Sequence, residues 1–188
     1  MKTLTVLAAL AMSSAAFAQQ EYYPMKEGTT WTYKMTGGPK DATIVQTVKG
    51  REKVGDVECW LLETVVDGGN KQTELVAVTD DGLKRYRSNG MDVTPPVVFL
   101  KKGMKVGDKW GGEFKVGATP VTANYEYAAE EDVEVAAGKF KAVKQTVVME
   151  IQGQKLNVSF WWVKDVGAVK QTMDGPGISF ALELQKGK

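Results

Sequence analysis

The chain contains no histidine, a single cysteine and, beyond its first residues, no long apolar run. Without histidine, Ser-His-Asp and Cys-His catalysis and the commonest zinc sites are excluded, and the usual proton shuttle near neutral pH is missing. A lone cysteine cannot form an intramolecular disulfide. Cys59, in the run Val57-Glu58-Cys59-Trp60-Leu61-Leu62, reads as a small buried hydrophobe. Nor is there an excess of charge of one sign: 24 Lys and Arg stand against 23 Asp and Glu. The sequence therefore lacks the electrostatic footprint of a nucleic-acid binder or of a protein drawn to an acidic membrane surface. No catalytic, metal or cofactor motif is present, and neither an enzyme nor a cofactor is expected.

What is present begins with a leader. Met1 and Lys2 precede an apolar stretch from Leu4 to Met12 and small residues ending Ala16-Phe17-Ala18. This is the charged, apolar and cleavage-site order of a secretory signal, too short to span a bilayer. The expected mature chain, residues 19–188, has no transmembrane segment and no cysteine at its start for a lipid anchor. Its expected location is periplasmic or secreted.

After residue 18 almost every segment alternates β-branched or aromatic residues with polar ones, and Gly, Asp and Asn interrupt the runs. Candidate strands are 29–35, 43–49, 57–66, 73–79, 83–88, 110–116, 123–129, 142–151, 156–164, 168–173 and 178–184. The expected fold is all-β: an antiparallel curved sheet or barrel-like sandwich, with little or no helix after the signal peptide.

The chain also repeats. Met25-Lys26-Glu27-Gly28-Thr29-Thr30-Trp31 matches Met104-Lys105-Val106-Gly107-Asp108-Lys109-Trp110 at an offset of 79 residues. Gly55 then corresponds to Gly138, and Gly82-Leu83-Lys84 to Gly167-Ala168-Val169-Lys170, so the offset drifts only to 85. Two pseudo-repeats, about 22–95 and 97–188, are expected to close together into one domain, with the seam near Pro95-Pro96, a pair that breaks strand ladders.

The apolar faces are longest in the second half. Val147, Met149 and Ile151 lie on one side of a strand, Val158, Phe160 and Trp162 on one side of the next, and Phe180 and Leu182 on the last. Three such strands form an apolar floor, either plain core or the face that holds an apolar ligand. Trp161 and Trp162, being adjacent, must point to opposite sides. Glu130-Glu131-Asp132 and Asp80-Asp81 read as solvated turn residues, and Lys84-Arg85 with Arg87 as a solvated basic face.

Four segments together resemble a family of exported β-rich proteins of unknown function, the TapB-like proteins. They are Tyr22-Tyr23-Pro24 leading to Gly28 and Trp31-Thr32-Tyr33; the stretch from Gly103 to Trp110; Glu134-Val135-Ala136-Ala137-Gly138-Lys139-Phe140-Lys141; and Trp161-Trp162 through Val166-Gly167-Ala168-Val169-Lys170. Ala136 and Asp165 stand where that family tends to have proline. The resemblance implies large, curved, lipoprotein-carrier-like antiparallel sheets and carries no catalytic residues. The functional expectation is an exported, non-catalytic binding or accessory module holding an apolar or lipid-like molecule. The alternative is a structural protein of the cell envelope or surface that pairs with a protein partner through sheet edges.

Overall fold

The structure, a computed structural model, describes residues 22–103 and 105–186. The expected signal peptide, residues 1–18, and Met104 of the repeated motif lie outside the described residues. Twelve strands follow one another: β1 (Thr30–Thr36), β2 (Ala42–Val54), β3 (Val57–Val66), β4 (Asn70–Val78), β5 (Gly82–Ser88), β6 (Met91–Lys101), β7 (Lys109–Val116), β8 (Thr119–Val135), β9 (Gly138–Ile151), β10 (Gln154–Val163), β11 (Gly167–Gly175) and β12 (Ile178–Leu184). Each pairs antiparallel with its sequence neighbours, and β1 pairs with β12, so the sheet closes into a barrel. No helix occurs among the described residues.

Alternation sets the inside and outside of the wall. Val121, Ala123, Tyr125 and Tyr127 on β8 are buried, with more exposed neighbours between them. Opposing outer positions carry ion pairs such as Lys170–Glu183 at 2.9 Å and Lys109–Glu126 at 3.4 Å. Such a charged outer face differs from the apolar lipid-facing band of an outer-membrane barrel. Short turns fix the register. Asn89 and Gly90, with φ of 49° and 77°, form the mirror-image turn whose twist matches the strands it joins.

Because the strands run up and down, the turns sort into two ends. The β1–β2, β3–β4, β5–β6, β7–β8, β9–β10 and β11–β12 turns share one end; the remaining turns and the segment leading into β1 share the other. At this second end residues 22–25 fold inward. Tyr23 and Met25 are buried, and Tyr23 stacks on Trp31 with centroids 5.3 Å apart and meets Trp162 and Phe99 edge-on. Trp31 Nε1 donates to the Val166 carbonyl at 2.5 Å, which ties the start of β1 to the β10–β11 turn. The four segments that carry the family resemblance converge on this closed end.

The same turn opens both halves. Gly28 N donates to Val48 O, Thr29 N to Lys26 O and Val48 N to Thr29 O; the corresponding bonds are Gly107 N to Tyr127 O, Asp108 N to Lys105 O and Tyr127 N to Asp108 O. Each half supplies six strands, and the turn between the halves lies after β6, at residues 102–108. Pro95 and Pro96 sit inside β6, where no strand is expected from the sequence. They act as ladder breakers all the same. The β6–β7 register consists of Val93↔Val116 and Thr94↔Lys115 and stops immediately before Pro95.

Two further expectations are corrected. Glu130, Glu131 and Asp132 lie within the 17-residue β8, not at a turn, and Glu131 accepts a hydrogen bond from Trp161 Nε1 on the outside of the barrel. Arg85 points inward, on the same face of β5 as the fully buried Leu83, and the irregularity at Tyr86 reverses the alternation after it: Val76 pairs with Arg85 while the next rung pairs Leu75 with Arg87. Gly167 has φ of +108° and approaches Trp31 so closely that an added Cβ would lie 2.9 Å from Nε1. We expect Gly167→Ala to lower stability by roughly 2–4 kcal/mol in urea unfolding, since the methyl group displaces the indole that closes this end. A loss under about 0.5 kcal/mol would contradict that role.

Candidate functional site

Inside the barrel, above the aromatic floor of Tyr23, Phe99 and Trp162, lies a cavity of about 540 Å³ that reaches the β5–β6 turn at Asn89. Seven of the eight residues expected to form an apolar face line it: Val147, Met149, Val158, Phe160, Trp162, Phe180 and Leu182. Ile151, at the end of β9, does not line it and is partly buried against the surrounding core. Met35, Ile44 and Met173 complete the apolar wall.

The opposite wall is polar, and sequence reasoning missed it. Gln46, Thr64 and Gln72 face inward at directly paired positions on β2, β3 and β4, and Glu74, Arg85 and Ser88 continue the stripe. Gln46 Nε2 donates to Thr64 Oγ1 at 3.2 Å, and Gln46 Oε1 accepts from the Tyr23 hydroxyl at 2.8 Å. Glu74 could have been found by alternation, since Gln72, Glu74 and the fully buried Val76 share one face of β4. Arg85 could have been found in the same way, since it shares one face of β5 with the fully buried Leu83.

Each group at the floor is held by its surroundings. Gln145 is buried, donates from Nε2 to the Phe99 carbonyl at 2.6 Å and accepts from Trp162 Nε1 at 3.0 Å. Tyr33 donates to the Ala168 carbonyl at 2.9 Å. Burial pushes the Tyr23 hydroxyl well above the ordinary tyrosine range, with Tyr33 and Glu74 adding to the rise and Arg85 opposing it. Burial likewise raises Tyr33, Tyr125 and Tyr127. These phenols stay protonated, and those of Tyr23 and Tyr33 donate hydrogen bonds. Burial is also the largest influence on Arg85 and opposes its charge, but Glu74, Tyr125 and Tyr23 more than compensate, so its pKa lies above the ordinary value. Such a lining binds and orients a molecule with both polar and apolar parts.

Elsewhere, Cys59 is fully buried in a small cluster with Leu75 and Ala77, and burial raises its thiol pKa. Trp161, on the far side of β10 from Trp162, is buried beneath Glu131, Lys144 and Lys170, with both ammonium groups over its ring. A second concavity of about 560 Å³ opens through the barrel wall where β6 and β7 part below Thr94. It is lined by Asp80, Asp81, Pro95, Pro96 and the start of β7, and Trp110 Nε1 spans it to the Val98 carbonyl at 3.0 Å. Among the described residues, no group of three or more Cys, Asp or Glu is placed to hold a metal ion.

No family model matches this sequence. No curated protein matches it either. Solved structures do share its architecture. A Bacteroides fragilis protein described as exported and as having a YmcC-like fold aligns with a TM-score of 0.60 at 14% identity, over 88% of this chain and 97% of that one. The fold of this chain is similar to that one. A Parabacteroides distasonis protein described as a lipoprotein aligns over the same shares at 13% identity with a TM-score of 0.47, too low to carry an argument. At such identities the likeness concerns the fold alone and assigns no residue a role.

The buried phenols make the barrel sensitive to alkali. A phenol whose pKa is raised on folding keeps its proton in the native state while the unfolded chain loses it above about pH 10. Stability contributed in this way is complete below that pH and is lost as pH rises. The denaturation midpoint in urea should therefore hold steady to about pH 9 and fall above about pH 10, less steeply in Tyr23→Phe. A midpoint independent of pH through that window would contradict the burial of these hydroxyls.

Proposed function

We propose that this protein is an exported, non-catalytic binding module that carries a lipid-like molecule inside its barrel. The observation that carries this reading is the cavity itself, which falls within the roughly 300–1,000 Å³ of small-molecule sites and has the mixed lining such sites use. The order of residues 1–18 supports an extracytoplasmic location, as does the description of the Bacteroides fragilis neighbour as exported. Kinship with the TapB-like proteins rests on the four motifs gathered at the closed end. Fixed aromatic packing at one end and a roomy interior toward the other is a division suited to a carrier.

Native mass spectrometry of the signal-cleaved protein, purified without detergent, tests the proposal. We expect an added mass that disappears on denaturation, and its loss in Val158→Trp, which fills the cavity from the middle of β10. Identical native and denatured masses, with no uptake of added long-chain amphiphiles, would overturn it.

The gap in the wall supports a second reading, in which an envelope partner adds a strand to β7. Among the described residues the inner part of β7, 109–114, has no register with β6, so its edge offers backbone groups to an extended peptide. A partner seated there would slow amide exchange at residues 109–114. Unchanged exchange in the presence of envelope extract would rule it out.

A further inference from the structure

We infer that the molecule held in the barrel is a single-chain amphiphile with an anionic, carboxylate-like head, the head paired with Arg85 and the chain laid along the wall of Met149, Phe160, Met173, Phe180 and Leu182. The inference rests on the reading of the cavity as a binding site, and it names the chemistry of what binds.

Arg85 is the reason. A guanidinium inside a barrel is costly unless its donors are matched, and Glu74 matches them incompletely. Arg85 Nη2 donates to Glu74 Oε2 at 3.3 Å, long beside the roughly 2.7–2.9 Å of a good charge-assisted bond. Nε lies 3.0 Å from Glu74 Oε1 yet makes no hydrogen bond, and that buried atom has no other partner among the described residues. The guanidinium has five N–H donors in a planar fork, and Glu74 engages one of them. The Arg85 side chain still keeps 28% of its surface exposed. With Phe99 beneath it at 5.1 Å and the buried Tyr23 and Tyr125 alongside, that exposure is to the cavity.

The neighbours favour an anion over a cation or a neutral head. The Tyr125 hydroxyl, kept protonated by burial, lines the cavity beside Arg85 and is a second donor to an incoming oxygen. Ser88 and Gln72, on the strands that carry Arg85 and Glu74, add further donors toward the mouth. Glu74, by contrast, already has Arg85 at both of its oxygens and has little to offer an ammonium group. A carboxylate that takes the free side of the fork completes the donor set without disturbing Glu74. A neutral alcohol or ester leaves Arg85 as unsatisfied as before. Facing this stripe, the second-half strands present thioether and aromatic surface that adapts to a flexible chain.

Titration of the delipidated, signal-cleaved protein with dodecanoate, dodecanol and dodecyltrimethylammonium reads the head directly, because the chain is the same in all three. We expect dodecanoate to bind at least about tenfold more tightly than either of the others. The double variant Glu74→Gln/Arg85→Gln, which keeps the wall neutral, should bind dodecanoate and dodecanol equally. Arg85→Lys, which retains the charge but not the fork, should keep only part of the preference, and it decides the matter if the double variant does not fold. Equal binding of dodecanoate and dodecanol by the native protein, tighter binding of the cation, or a preference that survives loss of Arg85 would overturn the anionic head and leave the cavity reading standing. Failure of all three amphiphiles to bind would overturn both.

Discussion

The interior of a closed sheet widens with every strand added, and about eight strands already make it as wide as wall side chains alone can fill. This chain closes twelve, with β1 hydrogen-bonded to β12. Closure joins the first strand to the last, apart from the gap between β6 and β7 below Thr94, but leaves more space than the wall residues occupy. The sequence deals with that excess differently at the two ends. At one end it inserts residues 22–25 and stacks Tyr23 against Trp31, Trp162 and Phe99, making a solid aromatic base. Toward the other end nothing equivalent enters, and the excess remains as a cavity.

The two halves of the chain line the interior unequally. β2 to β5 contribute Gln46, Thr64, Gln72 and the Glu74–Arg85 pair beside Ile44 and Val66, whereas β9 to β12 contribute mostly valines, methionines and aromatic rings, with Gln145 and Gln171 among them. Both halves open with the same hydrogen-bonded turn and a tryptophan behind it, so the difference lies in the side chains and not in the frame. The frame is rigid where it is packed. Gln145 bridges the Phe99 carbonyl and the Trp162 indole at the junction of base and cavity, so neither half moves at the floor without exposing a buried polar group.

Most of this frame was legible before any coordinates. Eleven strands announced themselves by alternation, since each has one face in the core and one in water. β6 did not, because Pro95-Pro96 carries a signal against strand that is misleading here: its ladder to β7 has already ended, so the missing N–H groups cost nothing on that side. The apolar wall was legible for the same reason as the strands, and it failed only at Ile151, beyond the cavity's reach. The polar wall was legible in part. Glu74 and Arg85 share faces with the buried Val76 and Leu83, but Lys84-Arg85 with Arg87 read as one solvated basic face, because no local signal marks the irregularity that leaves Arg87 paired with Asp92 outside. Closure of the first strand on the last is likewise a property of the assembled sheet, which no local pattern encodes.

The central claim is that ligand enters the space between the two walls and stops at the aromatic base. Methionine methyl NMR during titration with a long-chain carboxylate reads this most directly, because the methionines sample each region. Met35, Met149 and Met173 line the cavity, Met25 is packed in the base beside Tyr23, and Met91 is exposed on the outside near the β5–β6 turn. The account predicts that the methyl signals of Met35, Met149 and Met173 shift together and saturate, while those of Met25 and Met91 stay in place. Shifts confined to Met91, or no shift at any of the three cavity methionines, would contradict it.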